Sequence, residues 1–173
     1  MRAVLASLLA AISLPVAAAP DSLVQELEQR LAANGVDKVN VYLAGHWASA
    51  MIPLNRKTSD CELRAVSLAV RLSRGTDARA AGAHSESIRE AVGTCTAYVL
   101  ALATPEEVPK YCSSVASWTV MQTVRELRRR IAAIESDEVL RSSARGKACR
   151  AAYLYELQNT RVVLKSAPRA SSR

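Results

Sequence analysis

The sequence predicts an all-α protein, a compact bundle of five or six helices closed by two disulfides. Three observations carry that prediction. Apolar residues recur at spacings of three and four over long stretches, as they do on helices with one buried face. Half of the 173 residues are apolar, yet the chain has two Trp, five Tyr and no Phe. Its core is therefore built from Ala, Leu, Val and Ile, which suits closely packed helices. Finally, the four cysteines, Cys61, Cys95, Cys112 and Cys149, form no C-x-x-C pair, so zinc-ribbon, thioredoxin-like and haem-attachment readings fall away.

The first residues read as an export signal. Arg2 supplies the positive start, Ala3 to Leu14 form an apolar run, and Pro15 breaks it. Small residues around Ala18 favour cleavage before Ala19. The expected organisation is a signal peptide over 1–18, a single helical domain over 19–165 and a disordered basic tail over 166–173. The apolar run is too short to span about 30 Å of hydrocarbon, so no membrane attachment is expected after cleavage. The expected address is the periplasm, where disulfides persist. A net charge of +7 would point to nucleic acid in a cytoplasmic chain. Export points instead to an acidic protein or an anionic surface, and no nucleic-acid partner is expected.

The elements follow in chain order. Asp21 caps a first helix with Leu23, Leu27 and Leu31 on one face, and Asn34-Gly35 stops it. Residues 37–52 fit both a strand alternation and a helical face; the length of the pattern favours a helix, ended by Pro53. Ser59 and Glu62 read as a capping box opening the next helix, which runs to Ser73 and closes at Arg74-Gly75. "GTDARAAGAHS" reads as a polar connector. Ser85 then caps a helix whose apolar positions run from Ile88 to Leu102 and include Cys95. Thr104 and Pro105 open a short turn limited by Pro109. A long helix reaches about Ile134, with Val120, Val124, Leu127 and Ile131 inward and Arg125, Arg128, Arg129 and Arg130 on a solvated surface. Ser136 and Asp137 begin another turn, and a last helix spans about 143–159. Connector 74–84 joins two antiparallel helices in this reading. Cys61 and Cys95 then stand at similar heights, which pairs Cys61 with Cys95 and leaves Cys112 with Cys149.

Little in the sequence looks catalytic. Catalysis needs a base near a nucleophile, paired carboxylates or a metal cage. The chain has only two histidines, His46 and His84, and neither has a partner at metal-ligand spacing. No catalytic residue, metal or cofactor is assigned. One fragment offers an enzymatic alternative: "AAIES" looks like the Glu-Ser signature of lytic transglycosylases, with Glu135 as the acid, but the family's glycine-rich segments do not follow it. A periplasmic helical adaptor or structural protein is the other alternative.

Cys61, Cys95, Tyr98, Val99, Cys112, Gln122 and the run from Ala148 to Tyr155 follow a helix–Cys–Tyr–Cys–Gln order. In this the chain resembles the periplasmic immunity proteins that neutralise type VI-secreted peptidoglycan amidases (the Tai and Rap groups). The resemblance covers about residues 58–158. Ala97 and Ala101 stand where that pattern has glycine, and residues 21–57 are additional to it. The resemblance implies an all-α inhibitor, often a homodimer, whose partner is a cognate secreted cell-wall amidase and which works by occluding the amidase's active-site cleft. Such inhibition needs a stiff projecting segment and a few anchoring side chains. "TPEEVPKY" fits that need, so Glu106, Glu107, Lys110 and Tyr111 are the candidate partner-binding residues. The same segment also reads as an ordinary helix–helix connector.

Overall fold

The computed structural model describes residues 22–116 and 118–166, with side chains through Thr160. The expected signal peptide and the tail from residue 167 lie outside the described residues. Helix α1 spans Ser22–Asn34, α2 Val36–Gly45, α3 Ile52–Ser59, α4 Leu63–Leu72 and α5 Ala78–Leu102. Helix α6 spans Val108–Tyr111, α7 Val120–Ser136, α8 Glu138–Ser142 and α9 Ala144–Ser166. Six of these, α1, α2, α4, α5, α7 and α9, have ten residues or more, in line with the expected number. Ser166, the first residue of the expected tail, belongs to α9.

Several boundaries differ from the sequence reading, each for a physical reason. Pro53 does not end a helix. A π-helical turn over Trp47–Met51 precedes it, and Pro53 falls in the first turn of α3, where its missing N–H is not needed. Ser59 and Glu62 form no capping box. Ser59 ends α3, and Glu62 precedes α4 without a side-chain cap. Instead the Cys61 N–H donates to the Thr58 carbonyl and the Glu62 N–H to the Lys57 carbonyl, the paired bonds of a Schellman helix ending. Cys61 takes the left-handed position with φ of 62°, a place usually held by glycine. Lys57 and Glu62 then close an ion pair at 3.1 Å.

The expected connector 74–84 is mostly helix. Asp77 caps α5 by accepting from the Ala80 N–H at 2.8 Å, so Ser85 lies well inside the helix. Its hydroxyl donates to the Ala81 carbonyl at 2.6 Å. The true α4–α5 turn is short and is pinned by α2. The Asp37 carboxylate accepts from the backbone N–H and hydroxyl of Thr76 at 2.7 and 3.0 Å, and the buried Asn40 amide donates to the Leu72 carbonyl at 3.0 Å. Gly75 is needed there, because a Cβ would fall 2.3 Å from the Asn40 amide nitrogen.

Two apolar cores result. The first joins Val24, Leu27, Leu43, Met51 and Leu54 to Leu68 and Leu72. The second gathers Val66, Ile88, Val99, Tyr111, Leu127, Ile134, Tyr153 and Leu157. Helices α4 and α5 contribute to both. Residues 22–57 thus provide much of the first core.

Both disulfides pair as expected, Cys61–Cys95 and Cys112–Cys149. The first ties the α3–α4 turn to a kink in α5. Cys95 itself has the non-helical dihedrals φ −132° and ψ 53°, and Thr96 donates its hydroxyl back to the Val92 carbonyl at 2.6 Å, a bond that often bends helices. The second bridge ties the end of α6 to α9. Two bridges place this chain in an oxidising compartment. No helix among the described residues is long and apolar enough to cross a membrane.

Candidate partner-binding surface

The segment Thr104–Tyr111 is fastened from beneath by the α4–α5 turn. The Arg74 guanidinium donates to both Glu107 carboxylate oxygens, at 2.7 and 2.9 Å, and to the Leu102 carbonyl at 3.2 Å. Glu107 also accepts from the Thr104 N–H at 2.8 Å. Arg74 holds the Glu107 carboxyl below the usual carboxylate range. Thr104 opens the turn, its carbonyl accepting from the Glu107 and Val108 N–H groups, but the cap position of α6 falls at Glu107 rather than at Thr104. Pro109 lies inside α6 rather than beyond it.

The four candidate residues therefore divide. Tyr111 is fully buried and shares a 2.7 Å hydrogen bond with the Ser73 hydroxyl; burial pushes its hydroxyl pKa up. It is a core residue and does not anchor a partner. Glu107 is committed to Arg74. Glu106 and Lys110 are exposed. Lys110 reaches the Ser73 carbonyl at 3.4 Å, and partial burial lowers its pKa. The segment is thus a braced knob with Glu106 and Lys110 on its outside.

Beside the knob runs a feature that sequence reasoning missed. An apolar groove of about 880 Å³ lies between residues 109–114 with Trp118, α7 and α9. Ala148, Ala151 and Ala152 line it from α9, Pro109 and Trp118 from the connecting segment, and Val120 from α7. Tyr155 stands at its edge, 70% exposed. Pro109 belongs to both knob and groove. The connecting segment is held onto α9 by Glu156, whose carboxylate accepts from the Ser114 N–H at 2.6 Å and from the Ser114 hydroxyl. Sequence did carry one signal: Tyr153 and Tyr155 are two apart on a helix, so they point to nearly opposite sides. Tyr153 is buried, which leaves Tyr155 outward.

Trp118 is half-buried under Arg130, whose guanidinium lies 4.8 Å from the Trp118 ring centroid. The expected solvated arginine face of α7 needs correction here. Arg130 is only 5% exposed. It donates to the Arg89 carbonyl and, at 3.2 Å, to the Tyr153 hydroxyl. Gly93 makes room for it, because a Cβ there would sit 2.7 Å from the guanidinium. Arg130 thus fixes the Trp118 wall of the groove.

The remaining sequence candidates lie elsewhere. Glu135 is exposed and accepts from Arg150 at 2.7 Å, a surface ion pair. His46 stacks on Tyr42 with ring centroids 4.2 Å apart. His84, expected in a connector, is buried inside α5, and its Nδ1 meets the Asn55 side-chain oxygen at 3.1 Å. Trp47 is half-buried against the first core beneath Arg79. No three metal-ligating residues gather among the described residues. Comparison with protein-family models, curated proteins and solved structures finds no match.

Proposed function

We propose that the chain is a periplasmic immunity protein that binds a secreted peptidoglycan amidase and occludes its active-site cleft. The observation that supports this best is the pairing of a braced polar knob with an apolar groove that shares Pro109 with it. A tight interface needs a few large side chains set in pockets and surrounded by contacts that exclude water. Tyr155 and the Ala-lined floor supply the apolar part. Glu106 and Lys110 supply charge at the knob's exposed end. The bracing by Arg74, Glu107 and Tyr111 means that little ordering is left to be done on binding.

The test is co-expression of residues 19–173, tagged and exported, with the product of the adjacent gene. A stoichiometric complex whose peptidoglycan hydrolysis appears only after the tagged chain is removed is the expected result. A complex with an envelope protein that has no wall activity identifies an adaptor instead. Wall hydrolysis by the chain alone, lost in Glu135→Gln, identifies an enzyme.

A further inference from the structure

The two disulfides sit in different surroundings. Cys112 and Cys149 are fully buried in the second core. Cys61 and Cys95 are each only half-buried. Disulfide exchange requires a thiolate to reach one sulfur along the bond, so access separates the two bridges.

Their backbones differ as well. Cys61 has a φ of 62°, a conformation that side chains with a Cβ adopt at a cost. Cys95 is the residue at which α5 departs from helical dihedrals. Both ends of this bridge therefore sit where the chain is not following its helix. The bridge also spans the junction of the two cores: it links the turn after α3, whose Leu54 lies in the first, to the part of α5 whose Val99 lies in the second.

We propose that Cys61–Cys95 is a reducible clamp, opened by a dithiol while Cys112–Cys149 stays closed, and that opening releases the α3–α4 turn and the α5 kink together. The chemistry is ordinary exchange. A thiolate of the dithiol attacks one sulfur of the bridge and the other leaves as a thiolate. The second thiol of the reductant then attacks the reductant's own sulfur in the mixed disulfide so formed, and the remaining protein cysteine leaves as a thiolate. The protein gains two electrons and two protons as Cys61 and Cys95 thiols, and the dithiol is oxidised to its own disulfide. The residues flanking Cys95 keep bonds of their own, from the Thr96 hydroxyl to the Val92 carbonyl and from the Arg129 guanidinium to the Gly93 carbonyl at 3.4 Å, so the helical segments on either side persist. The proposal does not depend on the identity of the partner.

The test uses the oxidised full chain under native conditions with graded dithiothreitol. Free thiols are trapped with iodoacetamide and mapped by mass spectrometry, and amide hydrogen exchange is followed on the same samples. Cys61 and Cys95 are expected to label at least about tenfold sooner than Cys112 and Cys149. Exchange at 58–62 and 92–98 is expected to change with them, while α9 is unaltered. Opening of both bridges in one step, opening of neither, or labelling of Cys61 and Cys95 without any change in exchange overturns the proposal. As a second measurement, Cys61→Gly/Cys95→Ala should reproduce the exchange pattern of the half-reduced chain. A pattern identical to the oxidised wild type also overturns it.

Discussion

Left-handed backbone at Cys61 carries a measurable penalty that glycine would not incur. Two double variants isolate it, since both lack the bridge: Cys61→Gly/Cys95→Ala is expected to be more stable than Cys61→Ala/Cys95→Ala by about 1 kcal/mol, read from urea denaturation. His84 supplies a second residue-scale prediction. Burial lowers its pKa from 6.5 to about 4, so the unfolded chain binds a proton that the folded chain refuses between those values. Its contribution is complete above pH 6.5 and is lost as pH falls toward 4, a change of about 3 kcal/mol. Glu107, held low by Arg74, weakens the fold in the same direction at lower pH. In His84→Gln, the loss of stability between pH 6.5 and 4 should largely disappear. Neither feature was visible in the sequence. His84 reads as a connector residue and Ser85 as a cap, yet both are buried in α5, where the Ser85 hydroxyl bonds back to the Ala81 carbonyl and the His84 ring meets Asn55.

Among the helices, two glycines show how much depends on the neighbour. Gly82 lies in α5 with open space where a Cβ would go, so Gly82→Ala should gain about 1 kcal/mol from helix propensity. Gly146 lies in the first turn of α9, where its N–H donates to the Ser143 hydroxyl at 2.9 Å. A Cβ there would fall 1.9 Å from the Leu140 carbonyl oxygen. Gly146→Ala forces the α8–α9 corner apart and should cost about 3 kcal/mol. Thermal denaturation of the two variants checks both signs. Helix identity was legible wherever apolar spacing was clean, as in α1, α4, α7 and the second half of α5. Boundaries were less so. The first turns of α5 are rich in alanine, and their spacing hides the cap at Asp77. Even so, the pairing of Cys61 with Cys95 was reached, because the true turn still leaves α4 and α5 side by side.

For the molecule as a whole, binding and stability should be separable. Tyr155 is exposed at the groove edge, whereas Tyr153, two residues earlier, is buried beside Arg130. Tyr155→Ala is therefore expected to weaken partner binding by about 2 kcal/mol or more with an unchanged melting temperature. Tyr153→Ala should lower the melting temperature instead. Calorimetric titration with the co-purified partner, alongside thermal denaturation, distinguishes them. The groove was illegible in sequence because it belongs to no single element. It exists only once α7, α9, residues 109–114 and Trp118 are packed together.

The disulfides have a further consequence, for how the chain is made. They close loops of 34 and 37 residues, and the loops neither interleave nor nest. A chain delivered N-terminus first presents its cysteines in the order 61, 95, 112, 149. An oxidant that joins each new cysteine to the free one already waiting produces the native pairing directly. The two closures also cost nearly the same loop entropy, so neither has an advantage that would reorder them. Stepwise presentation of the cysteines therefore leads to the native pairing from either end of the chain, whereas oxidation begun with all four thiols present can also enter the two non-native pairings.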